Sequence, residues 1–523
     1  MRTANDFPPL IASMLNPDVY PHAVRTLELI ETHISWLILT GEYVYKIKKP
    51  VNLGFLDFST LELRQRYCQE ELRLNQRLAE SIYLDVVAIS GCETEPKLGD
   101  HGEPIEYALK MRQFDQSKRW DRLLEQGLLG VEHIDALAKH IARFHCALVP
   151  ADVKSEFGDE QHVTQAVFDV IEQAQQHLHE SADLSLLKQI SRWCRKQAVG
   201  LKQSFNKRKE EGFIRECHGD MHLANLAWFN NAPLVFDCIE FNDNLRWIDV
   251  VSEVAFLIMD LDDQNAAALG RRFLNVYLEE TGDYAGLVVL RFYLVYRALV
   301  RAMVAAIRSD QNPDESAISS EQCRGYLKLA EGYIHNKTPR LLILFGPSGS
   351  GKTWLSQRLL EQTNLIRLRS DVERKRLAGL GATDSAGAQY GQALYSNDVT
   401  QQTYNLLLTL SKTVLQENYS VIVDATFQDV QQRRRFADLA KQLGCNFTIL
   451  SLKSDRTTLM ERVRSRRGDA SDANEQVLAQ QLSCWCELES DELANAIEIN
   501  TSHYTEESVV ALAAKLFEQN QGN

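Results

Sequence analysis

The sequence predicts an α+β domain of two lobes followed by an α/β domain built on a parallel sheet. Three observations support this fold class. An early stretch alternates apolar and polar residues as antiparallel strands do, and the middle of the chain has helical spacing of its apolar residues. From residue 340, short apolar strands alternate with helical stretches. A chain of 523 residues is also too long for one ordinary hydrophobic core, so more than one domain is expected.

The first lobe is predicted over residues 24–115, after an irregular, proline-bearing segment at residues 1–23. It begins with three antiparallel strands in VRTLELIETHISWLILTGEYVYKIKKPV, where Thr40-Gly41 marks a turn. A helix follows in STLELRQRYCQEELRLNQRLA, with Ser59 or Thr60 as its N-cap. Two more strands are predicted in YLDVVAIS and EYALKMRQF. Three strands, a helix and two strands make a small β-rich lobe.

The second lobe is predicted over residues 116–335 and is mainly helical. EHIDALAKHIARFHCALV, for example, has the apolar spacing of an amphipathic helix. A loop, a strand, a turn and a second strand interrupt the helices in CHGDMHLANLAWFNNAPLVFDCIEF. Residues 336–340, which include a proline, are the expected linker, and residues 341–523 form the expected α/β domain.

Composition narrows the class of protein. The formal net charge of −14 argues against a protein that binds DNA nonspecifically. The charge is uneven, with 20 Lys+Arg against 22 Asp+Glu from Arg340 onward and 37 against 49 before it. A polyanionic substrate would therefore meet the C-terminal part. The ten cysteines form no disulfide or zinc pattern, and no signal segment or membrane-spanning run is found, so we expect a cytoplasmic protein with no membrane partner.

A phosphate-binding loop opens the α/β domain. The stretch from Gly346 to Thr353 matches G-x-x-x-x-G-K-[ST], and it follows a strand and precedes a helix, as the motif requires. Its backbone N–H groups and the helix N-terminus favour phosphate. Lys352 is expected at the β- and γ-phosphates and Thr353 at Mg²⁺, with Asp424, at the end of VIVDAT, as a second metal ligand. An N-cap or strand-end role is the alternative for Asp424. The expected nucleotide-binding residues are Gly346, Ser348, Gly349, Ser350, Gly351, Lys352 and Thr353.

Further candidates follow the second predicted strand of this domain. RLRSDVERKRL places Asp371 and Arg374 at the carboxyl end of that strand, the edge where open α/β sheets bind ligands. Asp371 can take a proton from an attacking hydroxyl, and Arg374 can hold an anionic substrate. Arg462 and Arg466 lie in a basic stretch that suits a lid bringing arginine to the transferring phosphoryl group, although a solvated helix face is the alternative.

Together these motifs resemble the small P-loop kinases of the polynucleotide 5'-kinase group, with zeta-toxin-like and gluconate-kinase-like relatives. The resemblance implies that Asp371 is the general base and that Arg374 binds substrate phosphate. It also implies a lid arginine at Arg462 or Arg466, between which the sequence does not choose.

The stretch from His218 to Asp237 has the arrangement of a phosphoryl-transfer loop. Asp220 would accept the proton of a substrate hydroxyl, and Asn225, five residues on, would turn back to hold Mg²⁺. Asp237, on the returning hairpin, would bind the metal that bridges the ATP phosphates.

The first lobe should then supply a lysine, a glutamate and an adenine-binding strand. Lys46, in YVYKIKKP, and Glu71, on the following helix, are the expected ion pair that orients the lysine onto the phosphates. Lys48 and Glu70 are their runners-up, and a solvated lysine or glutamate is the alternative. The backbone of Met111 and Gln113, in ALKMRQF, is expected to meet adenine.

These residues resemble the aminoglycoside phosphotransferase and choline kinase family, which has a protein-kinase-like fold. The resemblance carries the catalytic roles to Asp220, Asn225 and Asp237, and it assigns support of the loop to Asp249. Two departures stand out. The motif is H-G-D rather than H-R-D, which favours a small-molecule hydroxyl as acceptor. The glycine-rich loop over the phosphates is also missing, and its candidate substitutes are the Thr32 and Ser35 hydroxyls, or backbone N–H groups, of the turn ETHIS.

The sequence therefore predicts two ATP- and Mg²⁺-dependent kinase domains, each phosphorylating a small-molecule or nucleoside acceptor. The arrangement resembles the bacterial proteins described as bifunctional aminoglycoside phosphotransferase/ATP-binding proteins. Two alternatives remain open: the C-terminal domain phosphorylates a 5'-hydroxyl end of nucleic acid, or one domain binds ATP as a sensor and transfers nothing. The near-neutral charge of the C-terminal part disfavours nucleic acid.

Overall fold

The computed structural model describes residues 7–517 except 55, 100–101, 312–313, 315, 336–337, 382–383, 385–395, 466–474 and 503. The chain divides into two compact units. One consists of residues 1–136, 148–163 and 205–257, and the other of residues 137–147, 164–204 and 258–523. Helices that precede the predicted linker thus share a unit with the sheet that follows it. Two residues of that linker, 336 and 337, lie outside the described residues, and the predicted domain boundaries stay predictions.

The first unit contains a six-stranded antiparallel sheet in the order β1-β2-β3-β6-β4-β5. Helix α2 (Leu61–Ala79) contacts β4 and β6, and it begins after Thr60, whose hydroxyl accepts the Leu63 N–H at 3.3 Å as an N-cap. The strands are β1 (Glu28–Glu31), β2 (Ser35–Leu39), β3 (Tyr43–Lys48), β4 (Tyr83–Cys92), β5 (Glu95–Leu98) and β6 (Pro104–Arg112).

Helix α1 (Pro9–Met14) and strand β5 of this unit were not expected from the sequence. Helix α1 lies in the segment predicted to be irregular, and its Ile11 and Met14 are buried against the sheet with Ile38. Strand β5 is an edge strand of only four residues, and its second residue is Pro96. Proline is tolerated at such an edge because it lacks only the N–H that an inner strand would need.

The remaining strands of this unit form two short pairs, β7 (Ile214–Glu216) with β10 (Trp247–Asp249) and β8 (Leu226–Phe229) with β9 (Ala232–Val235). The β8–β9 hairpin turns at Asn230 and Asn231, whose φ values of 50° and 60° suit a tight two-residue turn. Ala227 and Leu234 of the hairpin pack against Leu109 of β6. The predicted strand–turn–strand is therefore present, and it packs against the six-stranded sheet.

Helices dominate the middle of the chain, as predicted. Their bounds are α3 (Trp120–Glu125), α4 (Val131–Ala147), α5 (Glu160–His177), α6 (Ser181–Glu210), α7 (Asp243–Arg246), α8 (Val250–Asp263), α9 (Ala267–Thr281), α10 (Leu287–Gln311) and α11 (Ser316–Ile334). None of the described helices is both long and apolar enough to cross a membrane.

The second unit contains a five-stranded parallel sheet in the order β12-β13-β11-β14-β15. Leu342, Leu355 and Ile422 are fully buried in its core. The strands are β11 (Arg340–Phe345), β12 (Leu365–Arg369), β13 (Ser420–Asp424), β14 (Asn446–Lys453) and β15 (Ala496–Asn500). The helices that follow β11 in the chain are α12 (Lys352–Gln362), α13 (Ser370–Leu377), α14 (Asn397–Gln416), α15 (Val430–Leu443), α16 (Arg456–Ser465), α17 (Glu475–Ser483) and α18 (Glu506–Phe517). The predicted parallel α/β domain is confirmed.

Candidate active sites

The loop between β7 and β8 takes its shape from Gly219. This residue has a φ of +88°, a left-handed conformation that residues with side chains rarely adopt. A Cβ atom at this position would lie 2.6 Å from the carbonyl oxygen of Leu245. The backbone therefore passes too close to Leu245 for any side chain, which accounts for glycine between the histidine and the aspartate of the motif.

His218 holds the two sides of this loop together. Its Nε2 donates to the carbonyl oxygen of Phe236 at 2.9 Å, and its Nδ1 accepts the Asp220 N–H at 3.3 Å. Burial lowers the pKa of His218, which favours the neutral ring that this pair of hydrogen bonds requires. The histidine thus links the start of the loop to the end of the β8–β9 hairpin.

The carboxylate that supports the loop is Glu253 rather than Asp249. Glu253 is fully buried on α8, and its Oε2 accepts the N–H groups of His218 at 2.6 Å and Gly219 at 2.8 Å. The contacts that the structure gives Asp249 go elsewhere, to Arg208 at 2.6 Å and to the N–H of Val251 at 2.9 Å. A glutamate within the apolar run of α8 was the signal in the sequence, because such a carboxylate must find donors.

Asp220 and Asn225 lie side by side. The Nδ2 of Asn225 donates to Oδ2 of Asp220 at 2.9 Å and to its carbonyl oxygen at 3.0 Å. His222 Nε2 lies 3.3 Å from the same carboxylate oxygen, and about a third of the Asp220 side chain is exposed. The structure therefore brings together the predicted base and the predicted metal ligand, with the carboxylate open to solvent.

Lys46 joins the sheet to the loop that follows β9. Its Nζ lies 2.7 Å from Glu71 Oε1 and 2.8 Å from Asp237 Oδ1. Asp237 has a φ of +63°, uncommon for a residue with a side chain, and its N–H donates to the Tyr83 hydroxyl at 3.1 Å. The predicted lysine, glutamate and metal-binding aspartate thus meet in one cluster.

A second lysine shares Glu71. Lys48 is buried, and its Nζ lies 2.6 Å from Glu71 Oε2 and also contacts Glu240. Burial alone would raise the pKa of Glu71, but the two ammonium groups outweigh it and lower that pKa to about 2. Glu70, the runner-up for Glu71, instead pairs with Arg73 at 2.6 Å. Sequence analysis missed Glu240, for which no local pattern exists.

The predicted adenine-binding strand needs one correction. Met111 lies in β6 opposite Val44 and Tyr83 and is mostly buried. The Gln113 N–H already donates to the Glu42 carbonyl at 2.9 Å, so in this structure it is not available to adenine. The Gln113 side chain also accepts the Gly41 N–H, again at 2.9 Å.

The turn ETHIS does not offer the hydroxyls that were expected to replace a glycine-rich loop. The Thr32 hydroxyl accepts the Ser35 N–H at 3.0 Å and donates to the Ser35 carbonyl at 3.0 Å. The Ser35 side chain is completely buried. The Thr32 hydroxyl therefore serves the turn itself, and the Ser35 hydroxyl is buried away from any ligand. Nucleotide contact by either hydroxyl is not supported.

The phosphate-binding loop runs from β11 into α12. Gly349 and Gly351 have φ values of +83° and +90°. A Cβ atom at Gly349 would lie 2.7 Å from the Leu459 carbonyl oxygen, and one at Gly346 would lie 2.6 Å from the Ser350 hydroxyl. The glycines are therefore needed where the loop curls tightly against its neighbours. The Ser348 N–H donates to Gln481 at 2.9 Å, and Ser350 is buried.

Lys352 and Thr353 begin α12. The Lys352 ammonium donates to the carbonyl oxygens of Gly346 at 2.9 Å and Pro347 at 2.8 Å, so it folds back over the loop. The Thr353 hydroxyl donates to Asp424 Oδ2 at 2.9 Å. The two predicted metal ligands of this domain are thus direct neighbours.

Asp371 and Arg374 line a cavity of about 550 Å³ together with Lys352, Thr353 and Asp424. Arg374 Nη1 lies 3.3 Å from Asp371 Oδ1, one helical turn away on α13. Tyr404 and Gln428 add a hydroxyl and an amide to the wall of the same cavity. Sequence analysis missed these two, because nothing in their local sequence marks them.

Arg462 also lines this cavity and contacts the phosphate-binding loop. Its guanidinium donates to the Gly349 carbonyl at 3.4 Å, to the Thr501 hydroxyl at 3.0 Å and to the Thr501 carbonyl at 2.9 Å. Arg466, the other predicted lid arginine, lies outside the described residues.

Both sites offer ligands that suit Mg²⁺. Asn225 and Asp237 supply an amide and a carboxylate oxygen in the first site, and Thr353 and Asp424 supply a hydroxyl and a carboxylate in the second. Mg²⁺ prefers such oxygen ligands, and in kinase sites it is held by one or two carboxylates and by substrate phosphates. The residues present therefore fit the metal.

Similar proteins match most of the length of this chain. An uncharacterized protein of Mycobacterium bovis is 29% identical over 453 residues, which is 87% of this chain and 89% of that protein. Two uncharacterized proteins from strains of Mycobacterium tuberculosis match to the same extent.

Each of the similar solved structures covers only part of the chain. A choline kinase of Cryptosporidium parvum is 12% identical and covers 63% of this chain and 96% of its own, with a TM-score of 0.41. A sugar kinase of Janibacter is 16% identical and covers 35% of this chain and 95% of its own, with a TM-score of 0.26.

Family models match both parts of the chain. Residues 36–290 match the phosphotransferase enzyme family, and residues 341–486 match an AAA domain. The first match contains the H-G-D loop and its lysine cluster, and the second contains the phosphate-binding loop. The protein is therefore a kinase that joins a phosphotransferase-family domain to a P-loop, AAA-type domain.

Proposed function

We propose that the protein is an ATP- and Mg²⁺-dependent phosphotransferase with two kinase sites. Each transfers the γ-phosphoryl group of ATP to a hydroxyl of a small-molecule or nucleoside-type acceptor. The observation that carries the proposal is the lysine cluster of the first site, where Lys46 Nζ lies within 2.8 Å of both Glu71 and Asp237. This arrangement suits the binding of a nucleotide's phosphates and their metal.

In the first site, Glu71 holds Lys46 so that its ammonium faces the phosphates. Asp220 accepts the proton of the acceptor hydroxyl as that hydroxyl attacks the γ-phosphorus and the bond from the γ-phosphorus to ADP breaks. The 2.9 Å hydrogen bond from Asn225 keeps the Asp220 carboxylate oriented. Asn225 and Asp237 would hold Mg²⁺. When bound, the metal neutralises charge on the phosphate oxygens.

In the second site, Lys352 would leave its two carbonyl partners for the phosphates, while Thr353 and Asp424 would hold Mg²⁺. Asp371 would accept the proton of the acceptor hydroxyl. Arg374, one turn later, would bind an anionic group of the acceptor. The cavity of about 550 Å³ suits a small acceptor beside the phosphates, which supports a metabolite over a nucleic acid end.

Calorimetric titration with a non-hydrolysable ATP analogue and Mg²⁺ tests the existence of two nucleotide sites. We expect two bound nucleotides per wild-type chain and one each for Lys46→Ala and Lys352→Ala. Lys49→Ala is the matched control, because Lys49 lies beside the cluster but pairs with Glu31 at 2.7 Å. It should keep both sites. A wild-type chain that binds no nucleotide, or a Lys46→Ala chain that still binds two, would contradict the proposal.

A further inference from the structure

Helix α9 completes the open edge of the parallel sheet. Strand β12 is an edge strand, and its backbone finds partners in the Asn275 side chain. The Asn275 amide accepts the Arg367 N–H at 2.8 Å and donates to the Leu365 carbonyl at 3.1 Å. These two bonds replace the ones that a further strand would make. Helix α9 is thus an integral part of the second unit, although residues 36–290, matched by the phosphotransferase family, include it.

The same helix also contacts the end of α12, the helix that begins with Lys352 and Thr353. Arg271 donates to the carbonyl oxygens of Leu360 at 3.1 Å and Glu361 at 2.5 Å. A cation at these last carbonyls satisfies orphan acceptors and suits the negative end of the helix dipole. Arg271, Asn275 and Glu279 are spaced by four residues and therefore share one face of α9.

Glu279 on this face connects α9 to the metal ligands. One of its oxygens lies 2.7 Å from Arg367 Nε, and the other lies 3.8 Å from Arg369 Nη1. Arg369 in turn approaches Asp424, with its Nε 3.9 Å from Asp424 Oδ2. The side chains of Glu279, Arg369 and Asp424 are 9%, 12% and 6% exposed, so water screens these charges weakly.

We propose that Glu279 is a positioning residue of the P-loop kinase site. Its carboxylate holds the Arg369 guanidinium back from Asp424 and so keeps that carboxylate available to Mg²⁺. The guanidinium now lies at nearly equal distances from two carboxylates. Without the Glu279 charge, the attraction of the guanidinium to Asp424 would no longer be opposed from this side, and a closer approach would occupy oxygens that the metal needs. The phosphotransferase-matched part of the chain thereby contributes to the second kinase site, an inference that rests on the proposed nucleotide site at Lys352.

The test is Mg²⁺-dependent binding of a fluorescent ADP analogue to the full chain. Asp237→Asn, in all samples, disables the first site, and loss of signal in Lys352→Ala identifies the second. Glu279→Gln should raise the half-saturating Mg²⁺ concentration about tenfold, as changes behind a metal ligand do. It should leave nucleotide affinity at saturating Mg²⁺ unchanged. Glu280→Gln, its neighbour on α9, removes the same charge and should leave the Mg²⁺ requirement as it is.

Arg369→Met tells whether Glu279 acts through Arg369 or only supports the structure. If Arg369 is what competes for Asp424, Glu279→Gln should have no effect on the Mg²⁺ requirement in the Arg369→Met background. Persistence of the tenfold change there, or its absence from Glu279→Gln alone, overturns the inference. Should Glu279→Gln fail to fold, Arg369→Met alone should lower the half-saturating Mg²⁺ at least about threefold. An unchanged or higher value would refute the inference.

The result for the wild type distinguishes a failure of this inference from a failure of the proposed function. Mg²⁺-dependent binding that Lys352→Ala abolishes, with Glu279→Gln unaltered, overturns only the role of Glu279. A wild-type chain that binds no nucleotide at the Lys352 site contradicts the proposed function and this inference together.

Discussion

At the scale of single residues, Gly219 shows how backbone geometry limits the first site. Gly219→Ala would force a side chain into a left-handed backbone and against the Leu245 carbonyl, 2.6 Å from the new Cβ. Strain and overlap together should lower the stability of the first unit by about 2–5 kcal/mol. We also expect transfer from that site to fall, because Asp220 is the next residue. Urea unfolding and phosphoryl transfer measure the two effects.

Gly200→Ala is the matched control for Gly219→Ala. Gly200 lies within α6, and an added Cβ atom there would have no neighbour within 4 Å. Alanine is the better helix former, so the substitution should stabilise the protein by about 0.5–1 kcal/mol. Equal effects of the two substitutions would show that the loop does not require glycine.

Asp262 should give the protein a specific pH dependence. Burial raises its pKa to about 6, against the opposing effects of the Tyr333 hydroxyl, 2.6 Å away, and of Arg271. Because the folded-state pKa lies above the unfolded one, stability present below about pH 4 is lost as the pH rises through 6.

Asp262→Asn tests this dependence, because asparagine stays neutral and can still accept the Tyr333 hydroxyl. It should stabilise the protein at pH 8 by at most about 3 kcal/mol and have little effect at pH 4. Urea unfolding midpoints at the two pH values measure the difference. The same difference at both would contradict a raised pKa at Asp262.

At the scale of elements, the edge strand β12 depends on a side chain rather than on a further strand. Asn275→Ala would leave the Arg367 N–H and the Leu365 carbonyl buried without these partners. We expect a loss of about 2–4 kcal/mol in the stability of the second unit, measured by urea unfolding. Asn405→Ala, on the exposed face of α14, is the control and should change stability by less than about 0.5 kcal/mol. Equal losses would mean that Asn275 does not support β12.

Elements with a strong local pattern could be predicted from the sequence, and weakly patterned ones could not. The alternation in β2 and β3 and the apolar runs of β11, β13 and β14 identify these strands. Strand β5, four residues long with a proline, and α1, six residues long, are too short for their periodicity to be found. Their places are set by packing against the sheet, which local sequence does not encode.

At the scale of the whole molecule, the motif residues were predictable and their supporting partners were not. His218 to Asn225 and Gly346 to Thr353 are contiguous stretches whose chemistry follows from residue type and spacing. The pairs between Lys48 and Glu240 and between Arg462 and Thr501 join residues 192 and 39 positions apart. No periodicity relates such residues, so only the fold reveals them. Glu253 was the exception, since a carboxylate in an apolar helix signals a partner.

The two family matches in one chain lead to the central claim, that each part transfers phosphoryl groups. The most direct measurement follows γ-labelled ATP with wild type, Asp220→Ala and Lys352→Ala, offered a metabolite extract and, separately, a 5'-hydroxyl oligonucleotide. We expect label to move to small-molecule acceptors, with Asp220→Ala abolishing one set of products and Lys352→Ala the other. ATP binding without label transfer to any acceptor, or transfer that neither substitution reduces, would contradict the account.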